Sequence, residues 1–560
     1  MYKMAVQLQV VNLSQERCKQ PFSLNPCVKT LASERSRGAS TFKGDPKEVS
    51  DDSLYQQPDF VGWLGATPVY VTKGIAQHWL QANPCCIEAS HVSAPTSSQL
   101  PADLADWSAS DLLEAYSRKT VSPVDVTKAV IARIEAHEPR LQALYAYDPD
   151  AAITSARESE RRWMKGEERA LDGIPATIKE NIATKGTPVP LGTATRPLTP
   201  ATEDAPPAAR LREDGVVILA KTTMPDYGML SSGLSSFHPL ARNPWDLSKN
   251  PGGSSAGAGA AAAAGYGPFH VGTDIGGSIR LPAAWCGVFG LKPSFGRIPI
   301  DPTYYGRVAG PMTRTVRDAA LMMTSLTRPD MRDPMSLPYQ DWPWLDLDID
   351  IKGLRIGLMM DAGVGLPLDP EIRAAVEKAA KLFEHAGATI EEVKPFITRE
   401  MLDGLDDFWR QRAWMDIGAL SEEERARVLP YILQWAEGGR NLTGAQVYNG
   451  MNQMMVMRHA AVAATHRFDF VLSPVAPNVA YEAELASPIH DPEKPFEHIG
   501  YTVAFNMSDQ PAASVNAGFT KAGLPIGLQI VGRRFDDLGV LRLSKAWEEM
   551  CPDKRAWPKL

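Results

Sequence analysis

Cysteine is scarce in this chain. Only six occur among 560 residues (Cys18, Cys27, Cys85, Cys86, Cys286 and Cys551), four of them near the N-terminus and none at metal-binding spacing. That usage fits a reducing, cytoplasmic setting and offers no metal site. A basic tract is also missing. Lys and Arg total 58 against 66 Asp and Glu, a net charge of -8, and no run of cations could neutralise consecutive phosphates, so nucleic acid is not expected as a ligand. Long, strongly apolar runs are absent too. The longest uncharged stretch, residues 250–273, owes its apolar content to Ala and Gly and contains Ser254, Ser255 and His270. Such residues supply little transfer energy, so neither a membrane span nor membrane binding is expected. The first residues, MYKMAVQLQVV, lack the apolar core and cleavage site of a secretory signal.

The length exceeds the ~250 to 300 residues at which one hydrophobic core usually stops growing, so one large domain with additions and two domains are both open. Residues 1–100 show no sustained period and end in SHVSAPTSSQLPAD, which reads as an extension or linker. A single large domain is expected over 101–560, with a helical, Met- and Trp-rich insertion around 401–467. Helix starts are legible at Ser108 with Asp111 and at Ser122, Pro123 and Asp125, where Ser caps, Pro suits the first turn and an acid faces the dipole. Short strand-like runs follow at 215–221, 268–274 and 354–360, separated by helical stretches such as DPEIRAAVEKAAKLFEHAGA, with Gly387 placed to end that helix. The alternation predicts an α/β protein.

The most informative segment runs from Asn250 to Pro299, where glycines cluster around serines. It lacks both the GK[ST] of a nucleotide loop and the G-x-G-x-x-G of a dinucleotide site, which disfavours phosphate binding. A serine hydroxyl becomes a nucleophile when a base takes its proton and donors receive the charge on the attacked oxygen. Gly276 and Gly277 before Ser278 let successive N–H groups point at one place. The ten histidines show no pairing with this segment, and His270 falls within a predicted strand. Lysine is the other candidate base. Lys179 ends an apolar, strand-like run in GIPATIKENIATKG, where desolvation would lower its pKa, and Asn181 stands nearby as a hydrogen-bonding partner.

Residues 250–299 resemble the signature of the amidase signature family, GGSS followed by GTDxGGSIRxPAxxCGxxGLKP, and the 24 residues separating Ser254 from Ser278 agree with it. The resemblance extends from about residue 105 to 545 and includes GPMTRTVRDAA at 310–320 and SPVAP at 473–477. It implies a central twisted mixed β-sheet surrounded by α-helices. By position, Ser278 resembles the nucleophile, Ser254 the serine of a cis peptide bridging to the base, and Lys179 that base. The N–H groups of Ile275, Gly276, Gly277 and Ser278 resemble the oxyanion hole, with Ser255, Asp274 and Arg280 in support. Ala256, Glu180 and Ser294 depart from the usual Gly, Asp and Thr, and none removes a catalytic heavy atom.

The expected activity is hydrolysis of a small-molecule amide, carbamate or ester through a serine acyl-enzyme, without cofactor or metal; a homodimer is compatible with it. The amidase subunit of a tRNA-dependent amidotransferase is an alternative. It is disfavoured because only IPIDPTYYGRVA separates GLKPSFGR from GPMTRT, where those subunits carry a longer glutamine-site segment. An inactive binding protein on the same fold is a third reading, opposed by retention of all three polar catalytic positions. Tyr304, Tyr305 and the 401–460 region are assigned to the substrate pocket. Ser255 could instead cap the alanine-rich helix, and Asp274 and Arg280 could be a purely structural ion pair. Cys286, Trp409, Trp414, Met454, Met455 and Met457 read first as core.

Overall fold

The computed structural model describes residues 61–64, 67–70 and 100–560. The chain divides between Ser97 and Ser98. Of the first unit, only an antiparallel pair is described, β1 (Val61–Leu64) with β2 (Thr67–Tyr70). The remainder of the extension expected over 1–100 lies outside the described residues.

The second unit is built on an eleven-stranded sheet. Its strands are β3 (Leu144–Tyr145), β4 (Pro175–Lys179), β5 (Val217–Thr222), β6 (Phe269–Asp274), β7 (Phe289–Lys292), β8 (Val308–Thr313), β9 (Arg355–Leu358), β10 (Thr389–Glu392), β11 (Phe470–Pro474), β12 (Ala512–Phe519) and β13 (Pro525–Gly532). Across the sheet the order is β10-β9-β11-β13-β12-β7-β8-β6-β4-β5-β3. Parallel pairs (β4 with β5 and β6; β9 with β10 and β11) flank a central antiparallel block that runs from β11 to β6. The sheet is therefore mixed, and helices cover it, as the resemblance implies. One continuous apolar core joins sheet and helices. A second core lies among the helices Arg399–Ile417, Pro430–Glu437 and Gly444–Thr465 and holds Trp409, Met454 and Met457.

Local chemistry sets these elements. Ser108 accepts from the N–H of Asp111 at the start of helix Ala109–Ser117, and Ser122 forms a reciprocal capping box with Asp125 ahead of helix Pro123–Leu141. Gly387, at φ +103°, follows helix Pro370–His385. The three expected strands are β5, β6 and β9, with ends displaced by no more than two residues.

Helix Ala256–Ala264 is buried along its whole length, which explains its composition: Ala has the best helix propensity and lets flanking backbone come close. At Gly257 the approach is closest, since a Cβ there would overlap the Ala143 carbonyl oxygen. No helix among the described residues is long and apolar enough to cross a membrane.

Candidate active site

Parallel pairing of β4 with β6 brings the C-terminal ends of both strands to one edge of the sheet. Lys179 ends β4, while Thr273 and Asp274 end β6. Ser254 and Ser255 immediately precede the alanine helix, whose Gly257 N–H donates to the Thr223 carbonyl just beyond β5. Segments up to 94 residues apart thus meet around one amine.

Lys179 is fully buried, and its Nζ has three hydroxyl neighbours: Ser254 Oγ at 2.8 Å, Ser255 Oγ at 3.0 Å and Thr273 Oγ1 at 3.0 Å. Burial, with the nearby positive charge of Arg307, pushes the amine's pKa well below that of an ordinary lysine, although Asp274 and Glu180 pull the other way. Ser255 does not cap the alanine helix: its hydroxyl donates to the Thr273 carbonyl at 3.1 Å and accepts the Thr273 N–H at 3.2 Å. Asn181 reaches Lys179 only indirectly, donating to Thr273 Oγ1 at 3.1 Å. The peptide between Gly253 and Ser254 is cis.

Ser278 lies on the loop between β6 and helix Arg280–Cys286, and its carbonyl accepts the Ser255 N–H at 3.1 Å. Asp274 shapes this loop. Its carboxylate accepts the N–H of Gly277 at 2.9 Å and of Ile279 at 3.0 Å, and it pairs with Arg280 Nη2 at 2.9 Å, both side chains being fully buried. Burial alone would raise the Asp274 pKa, but Arg280, Asn506 and the loop N–H groups outweigh it and hold the group below the usual carboxylate range. Arg280 continues to the Thr502 carbonyl and to Gln529 on β13. Gly277 has φ +130°, and a Cβ on it would sit 2.8 Å from Thr502 Oγ1.

Of the four N–H groups expected to converge, that of Gly277 is engaged by Asp274. Those of Ile275, Gly276 and Ser278 have no hydrogen-bond acceptor among the described residues.

Ser254 and Ser278 open onto one cavity of about 500 Å³, whose wall includes Asn181, Tyr227, Tyr304, Arg307 and Arg412. A smaller recess of about 40 Å³ adjoins Ser278, Ile275 and Gly276 and is closed by Trp409 and Phe496. One pocket expectation needs correction. Tyr305, unlike Tyr304, turns from the cavity and donates to the Met507 carbonyl at 2.9 Å, because the chain makes a tight turn here, closed by the Arg307 N–H on the Tyr304 carbonyl at 2.9 Å. Trp409 belongs to the second core and also walls the recess, whereas Met454 and Met457 are core alone. His270 is fully buried and bonded to Thr177 at 2.8 Å, its pKa pushed down to about 3 by burial. Cys286 is buried among apolar residues, and burial raises its thiol pKa.

Thr273 is the residue that sequence reasoning missed. Its place directly before Asp274 in the GTD triplet was the available signal.

Comparison with known proteins identifies the family. The Amidase family model matches residues 125–541. A glutamyl-tRNA(Gln) amidotransferase component of Myxococcus xanthus is 33% identical over 80% of this chain and 97% of that protein. An acylamidase of Rhodococcus erythropolis is 32% identical over 80% and 95% respectively. The crystal structure of a bacterial aryl acylamidase of the amidase signature family superposes with a TM-score of 0.73 at 31% identity, covering 80% of this chain and 96% of that one. On the motif, the fold and these relatives together, the chain belongs to the amidase signature family of amide-hydrolysing enzymes.

Proposed function

We propose that the chain hydrolyses a carboxylic amide through an acyl-enzyme on Ser278, with Ser254 relaying the proton to Lys179. The observation that carries this reading is the hydroxyl environment of Lys179. The Ser255 proton is spent on the Thr273 carbonyl, so Ser255 can only accept from Lys179. Thr273 Oγ1 accepts from Asn181 and stands ready to accept from Lys179 as well. A neutral amine has two N–H donors and one lone pair. With the donors directed at Ser255 and Thr273, the lone pair is left for the Ser254 hydroxyl proton, which is the arrangement of a general base.

In the forward step Ser278 Oγ attacks the amide carbon, its proton passes to Ser254, and the Ser254 proton passes to Lys179. The N–H groups of Ile275, Gly276 and Ser278 are the free donors for the oxyanion. The relay then returns the proton to the leaving amine, and water repeats the sequence on the acyl-enzyme. The Ser278 hydroxyl makes no hydrogen bond among the described residues; in a ligand-free site such contacts are often long and tighten once substrate is bound.

Ser278→Ala is expected to abolish turnover of an anilide while leaving far-UV circular dichroism unchanged. Turnover at the parental rate would remove Ser278 from the mechanism. Relatives such as the Myxococcus xanthus protein keep a second reading alive, in which the chain serves as the amidase component of an amidotransferase. It predicts copurification with a partner on which glutaminase activity depends.

A further inference from the structure

Two guanidinium groups that take no part in the relay face the cavity of Ser254 and Ser278. Arg412 walls both the main cavity and the recess beside Ser278. Its guanidinium carbon lies 4.0 Å from the centroid of the Tyr304 ring, and stacking of that kind occupies the face of the group while leaving its N–H edge for a ligand. Arg307 donates only to backbone carbonyls, of Pro302 at 2.7 Å and Asn181 at 3.3 Å. Among the described residues neither arginine has a carboxylate within salt-bridge distance. Asp274 is committed to Arg280, and Asp301 at the cavity edge acts on Arg307 from farther away. Arg196, also on the wall, is 3.9 Å from Asp416. Burial and the facing charge of Arg412 lower the Arg307 pKa to about 10, as expected for two like charges sharing a partly dehydrated space.

Cations held together with no carboxylate in salt-bridge contact, beside the candidate nucleophile, make a site for an anion. We infer that the preferred substrates are amides bearing a carboxylate, which Arg412 grips through its N–H edge with Arg307 alongside. The inference rests on the amide-hydrolase reading and narrows it from amides in general to anionic ones. Planar, two-pronged pairing of guanidinium with carboxylate favours that group over a point anion.

The test uses the full chain and two matched pairs of anilides. Succinic monoanilide and butyranilide place the charge, or its absence, on the acyl side; N-acetyl-aminobenzoate and acetanilide place it on the amine side. In at least one pair the anionic member is expected to have a kcat/KM about tenfold or more above its neutral partner, mainly through KM. Arg412→Gln should reduce that ratio to near one, and Arg412→Lys should restore part of it. If Arg412→Gln does not fold, the parent protein still decides: succinate should inhibit competitively at concentrations where butyramide does not. Equal turnover of charged and neutral partners, together with no inhibition by succinate, would overturn the inference while leaving the amidase reading intact. Absence of turnover on all four anilides, with no labelling by a fluorophosphonate, would count instead against the amidase reading.

Discussion

At the scale of single residues, the proposed chemistry turns on Lys179, whose burial pushes its pKa well below that of an ordinary lysine. In the proposed relay Lys179 works as the free amine, so kcat/KM should rise with pH through a pKa well below the ordinary 10.5 and level off above it. A pH–rate profile checks this; activity falling over the same range would be incompatible. The linkage has a definite sign. Between the lowered pKa and 10.5 only the unfolded chain carries the proton, so the contribution of this site to stability rises with pH. Lys179→Met removes the buried amine and should be at least as stable as the parent in thermal unfolding at neutral pH, while losing activity by roughly 10² to 10⁴-fold. Arg280→Met is expected to lower stability instead. It strands the Asp274 carboxylate in a fully buried position and should cost about 3 to 5 kcal/mol, read from denaturant midpoints. That Ser278, Ser254 and Lys179 belong to one site was legible in the sequence, because residue type and fixed spacing mark them. Thr273 was not, since a threonine within a strand looks like any strand former.

Elements explain why the site was only partly visible. The caps at Ser108 and Ser122 are contacts across three residues, and they could be read directly. The strand order could not. β6 separates β4 from β8, and β3 at residue 144 pairs with β5 at residue 222, partnerships that arise from packing over long sequence separations. The same limit applies to Arg280, whose partner Gln529 stands 249 residues away. The alanine helix is the element whose position matters most, since it carries Ser254 and Ser255 at its entrance. Gly257→Ala would drive a methyl into the Ala143 carbonyl and the Thr223 backbone. A loss of about 2 kcal/mol or more is expected in urea unfolding, with a disproportionate fall in kcat as the serine pair is displaced. Unchanged stability would show that the helix can shift without cost.

On the scale of the whole molecule, the sheet does the positioning. Parallel strands deliver Lys179 and Thr273 to one edge, and the loop after β6 hangs from the Asp274–Arg280 pair that ties it to β13. All of this belongs to residues 98–560, as does the family match at 125–541. A chain beginning at Ser98 is therefore expected to fold and to keep the parental kcat on an anilide; loss of activity with retained folding would assign residues 1–97 a part in the site. The most direct test of the central claim is to treat the full chain with a fluorophosphonate and map the adduct by peptide mass spectrometry. A single adduct on Ser278 is predicted, formed faster as pH rises and absent from Ser278→Ala. An adduct on another residue, or equal labelling of Ser278→Ala, would contradict the assignment of Ser278 as nucleophile.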